Sequence, residues 1–277
     1  MCRYEKVTDL QTKQKNKMES IEQFKNKIIQ GDCLEVMKEI PDKSVDMVLT
    51  SPPYDNLRDY KGYTFNFEGI AKEIYRVLKD GGVCVWVVGD ATVKGSETGT
   101  SFKQALYFKE IGFNLHDTMI YRKVNPIPLT HNRYEQGFEY MFVFSKGKPN
   151  VFNPIMVECK TKGLDTKRRT FYQRADGILE KSHKNTPVKD TKQKDNVWDI
   201  STYSGKYGHP AIFPEKLAED HIISWSNEGD TILDPMAGSG TTLKMAKKNN
   251  RNYVGIEIAP EYIDIINKRL TPHLSEE

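Results

Sequence analysis

The sequence predicts an α/β fold, a doubly wound and mostly parallel sheet carrying one inserted segment, and three observations support this. Apolar runs of strand length alternate with stretches whose apolar residues recur every three or four positions, the order expected of helices crossing over between parallel strands. The run Val83 to Val88 is apolar throughout, as a strand buried on both faces must be. From Glu158 to Asp195 that periodicity fades, which marks an insertion. The 277 residues suffice to bury a full α/β core with an inserted subdomain.

Residues 1–18 are rich in lysine, glutamine and threonine without hydrophobic period and read as a flexible basic arm. Residues 19–150 form the first half of the main domain. Lys27 to Gln30 is a short strand, and Gly31-Asp32 turns into a helix through Leu34, Val36, Met37 and Ile40. Val45 to Leu49 is the next strand, followed by Thr50-Ser51-Pro52-Pro53-Tyr54 and the polar stretch Asp55 to Tyr60. Phe67, Ile70, Ala71, Ile74 and Leu78 share a helical face, and Gly81-Gly82 offers a left-handed stop for that helix. Strand Val83 to Val88, helix Phe102 to Ile111 and strands Phe113 to Tyr121 and Phe138 to Phe144 complete this half.

Residues 151–205 are assigned to the insert. Its core, Glu158 to Asp195, holds eleven Lys or Arg against six Asp or Glu, a larger excess than the +3 of the whole chain. It includes Lys167-Arg168-Arg169 beside Phe171-Tyr172, a mixture that grips phosphates and stacks on bases; a solvated lysine-rich linker is the alternative. Residues 206–277 return to the main domain. His209-Pro210-Ala211-Ile212-Phe213-Pro214 opens a helix through Leu217, Ala218, His221, Ile222 and Trp225. Strand Thr231 to Leu233, a glycine turn, a helix through Leu243 and Ala246, strand Tyr253 to Ile256 and helix Tyr262 to Leu270 end the chain.

Two motifs carry the chemistry. In Ser51-Pro52-Pro53-Tyr54 the prolines end the strand's hydrogen-bond ladder, because neither has an N–H and each fixes its own φ. The Ser51 hydroxyl and the Pro52 carbonyl then offer two acceptors beside the Tyr54 ring, a set suited to a planar heterocycle bearing an exocyclic amino group, such as cytosine or adenine. Alone, this tetrapeptide is weak evidence, since such a loop is more often just a stiff turn. The second motif is Leu233-Asp234-Pro235-Met236-Ala237-Gly238-Ser239-Gly240-Thr241-Thr242, a strand, glycine turn and helix start where a ligand can approach backbone N–H groups. Glu257 lies seventeen residues beyond Gly240, at a second strand tip, where a carboxylate can accept from ribose hydroxyls. The turn lacks the third glycine of a dinucleotide fingerprint and the Gly-Lys-Ser/Thr of a triphosphate loop.

With the tetrapeptide near the N-terminus and the glycine turn near the C-terminus, the chain resembles the S-adenosylmethionine-dependent DNA amino-methyltransferases of the permuted β group, over roughly residues 27 to 270 with 150 to 205 unmatched. The resemblance implies a Rossmann-like methyltransferase sheet, S-adenosyl-L-methionine as cofactor and a catalytic turn at Ser51, Pro52, Pro53 and Tyr54. It places the cofactor against Asp32, Phe213, Asp234, Pro235, Ala237, Gly238, Ser239, Gly240, Thr241, Thr242 and Glu257. Asp32 would hold the adenine amino group, although it is also a good helix N-cap. The loop with Asn125 and Arg133 resembles the family's loop preceding the last strand of the catalytic half, and its rings and charges suit packing over the flipped base and holding its phosphates, with a surface crossover as the alternative; Lys167, Arg168 and Arg169 lie where the family keeps target recognition. The implied partner is double-stranded DNA with the target base flipped out. A homodimer and a cognate restriction endonuclease are both compatible with the resemblance. Ser at position 51 implies N4 of cytosine as the acceptor, with N6 of adenine as the alternative.

Composition excludes other classes. No apolar run approaches the ~18 residues of a bilayer span, and the polar N-terminus has no secretory leader, so no membrane partner and a cytoplasmic location are expected. Cys2, Cys33, Cys84 and Cys159 have no paired spacing, so neither metal site nor disulfide is expected, and none follows a proline as a carbon-methylating nucleophile would. Three rivals stay open. An RNA- or protein-amide methyltransferase would share the cofactor half, although amide-methylating relatives begin the tetrapeptide with Asn. A DNA-binding module without activity has no use for the glycine turn, and an oxidoreductase would want the third glycine.

Overall fold

The computed structural model describes residues 20–53, 65–126, 132–160, 162, 171–181, 189–201 and 214–271. After a 3₁₀ turn at Ile21–Gln23, β1 (Lys27–Gln30) leads into α1 (Cys33–Glu39), whose first turn is capped by Asp32. The apolar β2 (Val45–Thr50) stops at the prolines. Asn66 accepts from the Gly69 N–H to start α2 (Phe67–Val77), which buries Ile70, Ala71, Ile74 and Val77. The chain passes directly into β3 (Leu78–Val88), then the small hairpin β4 (Thr92–Val93) and β5 (Ser96–Glu97), α3 (Thr100–Glu110), β6 (Asn114–Lys123) and β7 (Phe138–Ser145).

Short strands β8 (Met156–Glu158), β9 (Phe171–Gln173), β10 (Leu179–Lys181) and β11 (Thr191–Gln193) follow. β12 (Val197–Ile200), α4 (Glu215–Trp225), β13 (Thr231–Asp234), α5 (Thr241–Lys248), β14 (Asn252–Glu257) and α6 (Pro260–Leu270) finish the chain. Among the described residues no helix is long and apolar enough to cross a membrane.

Eight strands form one sheet in the order β1-β14-β13-β2-β3-β7-β6-β12. Within it only β7 runs antiparallel to its neighbours. The doubly wound, mostly parallel sheet predicted from the alternation of elements is therefore the fold observed. From β13 the chain winds to β14 on one side, and from β2 it winds to β3 on the other, so winding reverses between β13 and β2. In open α/β sheets ligands bind outside the carboxyl ends of the strands at such a reversal.

The core explains the order. Trp86 of β3 and Phe144 of β7 meet Phe108 of α3 edge-on and stacked, with ring centroids 5.2 and 4.5 Å away, and Phe67 of α2 closes the cluster. Each buried ring removes on the order of 150–250 Å² from water, so this cluster anchors α2 and α3 to one face. On the opposite face Leu217, Ile222 and Leu243 are fully buried.

Two expectations need correction. Gly81-Gly82 does not stop the helix: α2 ends at Val77, and the glycines lie in an irregular start to β3, where Met47 pairs Val83 while Val45 pairs Leu78. Lys146 does the helix's terminal work, its ammonium donating to the Tyr75 carbonyl at 2.7 Å and the Leu78 carbonyl at 2.9 Å. Gly81 takes φ +79°, and a Cβ there would stand 2.2 Å from the Asn150 side chain. The insert boundary also moves. Pro154–Asp195 separates as a compact unit, whereas β12, inside the 151–205 stretch assigned to the insert, pairs with β6 in the main sheet. That unit holds two antiparallel pairs, β8 with β11 and β9 with β10.

Candidate functional site

The carboxyl ends of β1, β14, β13 and β2 bring Asp32, Glu257, Asp234 and Ser51 to one sheet edge. The glycine turn is built by short backbone bonds, from the Ala237 N–H to the Ile256 carbonyl at 2.9 Å and from the Gly240 N–H to the Ala237 carbonyl at 2.7 Å. Gly238 and Gly240 take φ +53° and +77°, left-handed values that a side chain resists. Gly240 leads into α5 as a cap residue without a side chain, so the cap itself bonds none of the first-turn N–H groups, an arrangement that suits a ligand.

Small residues let the layers close. A Cβ on Gly255 would lie 2.3 Å from Leu243 Cδ1, and one on Gly240 would lie 2.8 Å from Ile266 Cγ2, so β14, α5 and α6 approach through missing side chains.

Two carboxylates organise the turn. Glu257 accepts from the Gly238 N–H at 2.7 Å and the Ala259 N–H at 2.9 Å, one on each oxygen. Burial pushes its pKa up, and those backbone donors oppose the rise. A carboxylate with two oxygens and about four lone pairs keeps capacity for a ligand hydroxyl.

Asp234 is buried completely at the end of β13, and burial lifts its pKa to about 6 against the pull of its hydrogen bonds. Its Oδ1 accepts from the Thr50 hydroxyl at 2.8 Å and the Met236 N–H at 3.2 Å. The Thr242 hydroxyl reaches both this carboxylate and the Leu49 carbonyl, the latter at a long 3.3 Å; having one proton, it donates to one at a time. Through Asp234 the residue before Ser51 is bonded to the first residue of the glycine turn.

Other predicted residues fall as follows. Ser51, Pro52 and Pro53 end β2, with Pro52 buried and its neighbours half-buried, while Tyr54 lies outside the described residues. Asp32 is exposed at the end of β1, and its Oδ1 accepts from the Leu34 N–H at 2.8 Å and the Glu35 N–H at 3.3 Å, the cap role. The Gly31 N–H donates to the Glu257 carbonyl at 3.0 Å, so Asp32 and Glu257 are neighbours. Pro235, Ala237, Ser239, Thr241 and Thr242 line the turn, all buried or half-buried. Asn125 is exposed beyond β6, and Arg133 is exposed with its guanidinium donating to the Gly95 carbonyl in the β4–β5 turn. Phe213, Lys167, Arg168 and Arg169 lie outside the described residues.

Sequence reasoning missed Arg269, Glu215 and Thr50. Arg269 in the last turn of α6 is buried against the glycine turn and donates to Ser239 and Thr241 as well as to Glu215. Its signal was there: it sits three residues after the buried Ile266, so the helical period puts a charge on the apolar face. Among the described residues no cluster of three or more His, Cys, Asp or Glu could hold a metal ion.

A doubly wound sheet with a glycine turn beside a proline-terminated strand at the reversal of winding defines the class, an α/β enzyme fold built around a nucleoside-type ligand site. Within that class the family model for DNA methylase, the N6/N4 methyltransferases, matches residues 45–268. The chain belongs to that family. It is 55% identical over 248 residues to the orphan methyltransferase M.BamHII of Bacillus amyloliquefaciens, covering 86% of this chain and 93% of that one. Among solved structures, TTHA0409 of Thermus thermophilus complexed with S-adenosyl-L-methionine is 25% identical with a TM-score of 0.59, covering 88% of this chain and 93% of that chain. PvuII DNA methyltransferase, cytosine-N4-specific, shares the fold with a TM-score of 0.67 at 22% identity, over 90% and 87% of the two chains.

Proposed function

We propose that this DNA methyltransferase transfers the methyl group of S-adenosyl-L-methionine to the N4 amino group of cytosine in double-stranded DNA. Ser51 is the observation that carries the choice of base: a neutral hydroxyl, rather than a carboxylate, heads the tetrapeptide at the end of β2. Bound S-adenosylmethionine supplies an electrophilic methyl group on sulfur. The residues of the glycine turn fit it: first-turn N–H groups of α5 behind a glycine cap, a buried Glu257 with spare lone pairs, and Asp32 beside it at the end of β1. The complex of TTHA0409 with the same ligand supports this assignment.

The chain's own contribution is to orient the amino group. Its nitrogen lone pair is delocalised into the ring and is a weak nucleophile. Hydrogen bonds accepted by Ser51 Oγ and the Pro52 carbonyl draw the two N–H bonds towards tetrahedral geometry and free the lone pair for the methyl group; as the N–C bond forms the S–C bond would break, the neutral thioether would leave, and the amino nitrogen would give one of its two protons to water. The base reaches this turn only when flipped out of the duplex, at a cost of a few kcal/mol, and stacks on Tyr54. Phe213 borders the cofactor, Asn125 and Arg133 flank the flipped base, and Lys167, Arg168 and Arg169 hold phosphates from the insert.

Digestion of DNA after incubation with the enzyme and labelled cofactor, followed by mass spectrometry of the nucleosides, tests the reading. N4-methylcytosine is expected. N6-methyladenine as the sole product would overturn the assignment of the base and leave the family intact.

A further inference from the structure

We infer that Arg269 is a positioning residue for the cofactor, holding the glycine turn in its ligand-ready shape from behind; the inference rests on the reading that this turn binds S-adenosylmethionine. One terminal guanidinium nitrogen shares its two protons among the Ser239 carbonyl at 2.7 Å, the Ser239 hydroxyl at 2.8 Å and the Thr241 hydroxyl at 3.2 Å. The second terminal nitrogen donates to Glu215 Oε1 at 2.8 Å, and the same oxygen accepts from Lys244 at 2.9 Å. The Arg269 side chain is only 4% exposed. A single group thus ties α6 to the turn, and through Glu215 to the first residue of α4 and to α5.

The Ser239 carbonyl belongs to the same rigid peptide plane as the Gly240 N–H, and the left-handed residues Gly238 and Gly240 lie on either side of Ser239. Glycines are free in φ, so that plane can rotate unless something fixes it. Arg269 fixes its oxygen end while the Ala237 carbonyl, 2.7 Å from the Gly240 nitrogen, fixes the other. That plane leads into the first turn of α5, whose N–H groups keep their direction only while it holds this orientation.

The choice of residue supports a positioning role. Buried ion pairs often stabilise no more than apolar side chains of similar volume, so packing of α6 alone does not call for a charge. Lysine offers a point charge, whereas the planar fork of arginine can hold several acceptors in fixed directions. Ser239, Thr241 and Glu215 use that fork.

The test measures S-adenosylmethionine affinity by calorimetry on the full chain for Arg269→Met, Arg269→Lys, Glu215→Gln and Gly238→Val. Urea unfolding runs in parallel, and Ile263→Ala on α6 serves as a destabilised control. Arg269→Met should weaken binding by roughly tenfold to a hundredfold, as loss of charge-assisted hydrogen bonds implies. Single-turnover rate at saturating cofactor should stay within about threefold, because the base-binding turn is not part of this network. Arg269→Lys should recover part of the affinity, and Ile263→Ala should bind normally despite its lower stability. Wild-type affinity in folded Arg269→Met overturns the inference; should that variant not fold, wild-type affinity in both Arg269→Lys and Glu215→Gln overturns it. Gly238→Val separates the two levels: undiminished affinity there refutes the glycine turn as the site, whereas lost affinity there with normal affinity in the Arg269 variants refutes only the positioning role.

Discussion

Replacing Asp234 by Asn should change how stability depends on pH, by an amount that follows from the structure. The carboxyl is buried to 1% exposure, and burial lifts its pKa from an ordinary 3.8 to about 6. The folded chain therefore holds this proton more tightly than the unfolded chain. With a raised carboxyl pKa, stability from this group is fully present below pH ~4 and is lost as pH rises through about 6. A difference of roughly two pKa units corresponds to about 3 kcal/mol. Asn keeps an oxygen to accept from Thr50 and the Met236 N–H but cannot ionise. The stability of Asp234→Asn minus that of the wild type should then climb by about 3 kcal/mol between pH 4 and 7 and level off above. Any cost of placing the new amide group shifts that curve vertically without changing its shape. Urea unfolding of both proteins at intervals from pH 4 to 8 gives the curve, and the subtraction removes every other titrating group, including Glu215, whose pKa is lowered by its bonds to Lys244 and Arg269 against the effect of burial. A difference that is flat across this range would mean that Asp234 is ionised at no cost, and the account of its burial would fail.

Three further outcomes follow from the same geometry. Ser51→Ala removes one acceptor for the target amino group, so single-turnover methyl transfer should slow roughly tenfold to a thousandfold while calorimetric cofactor affinity stays near wild type; full activity would reject the role of the serine. Replacing Lys167, Arg168 and Arg169 together by Ala should lower the slope of log affinity for DNA against log salt by about 0.9 for each phosphate that these side chains neutralise, and an unchanged slope in filter-binding titrations would make this stretch a solvated linker. Gly255→Ala puts a methyl 2.3 Å from the buried Leu243 Cδ1 and should cost about 1–3 kcal/mol in urea unfolding, with a wild-type midpoint counting against the packing of α5 on β14.

The parts of the fold legible in the sequence are those where a residue acts on its own backbone or on its near neighbours. Pro52 and Pro53 end β2 by lacking N–H groups, Gly238 and Gly240 adopt φ values that only glycine takes easily, and the period of α6 shows its buried face. Strand β12 escaped because four residues alternating in burial beside a charged stretch offer little period, and its partner β6 lies about eighty positions upstream. Gly81-Gly82 misled for a related reason. Two glycines after an amphipathic helix are compatible with a helix stop and with an irregular strand, and the contacts that decide between them, Lys146 on the helix carbonyls and Asn150 against Gly81, come from the far end of β7 and beyond. The site follows the same division. The turn at Ser51 and the glycine turn were readable one at a time, whereas the bond joining them, Thr50 to Asp234, spans 184 positions. Arg269 and Ser239 are thirty apart and Arg269 and Glu215 fifty-four. Arg269 alone shows locally, as a charge at the apolar period of α6, but nothing near it in sequence names its partners; a threonine in a strand and a glutamate in the first turn of a helix satisfy local preferences. Only the sheet order, which seats β13 beside β2 and brings α6 under the turn, converts these side chains into a buried network around the candidate cofactor site.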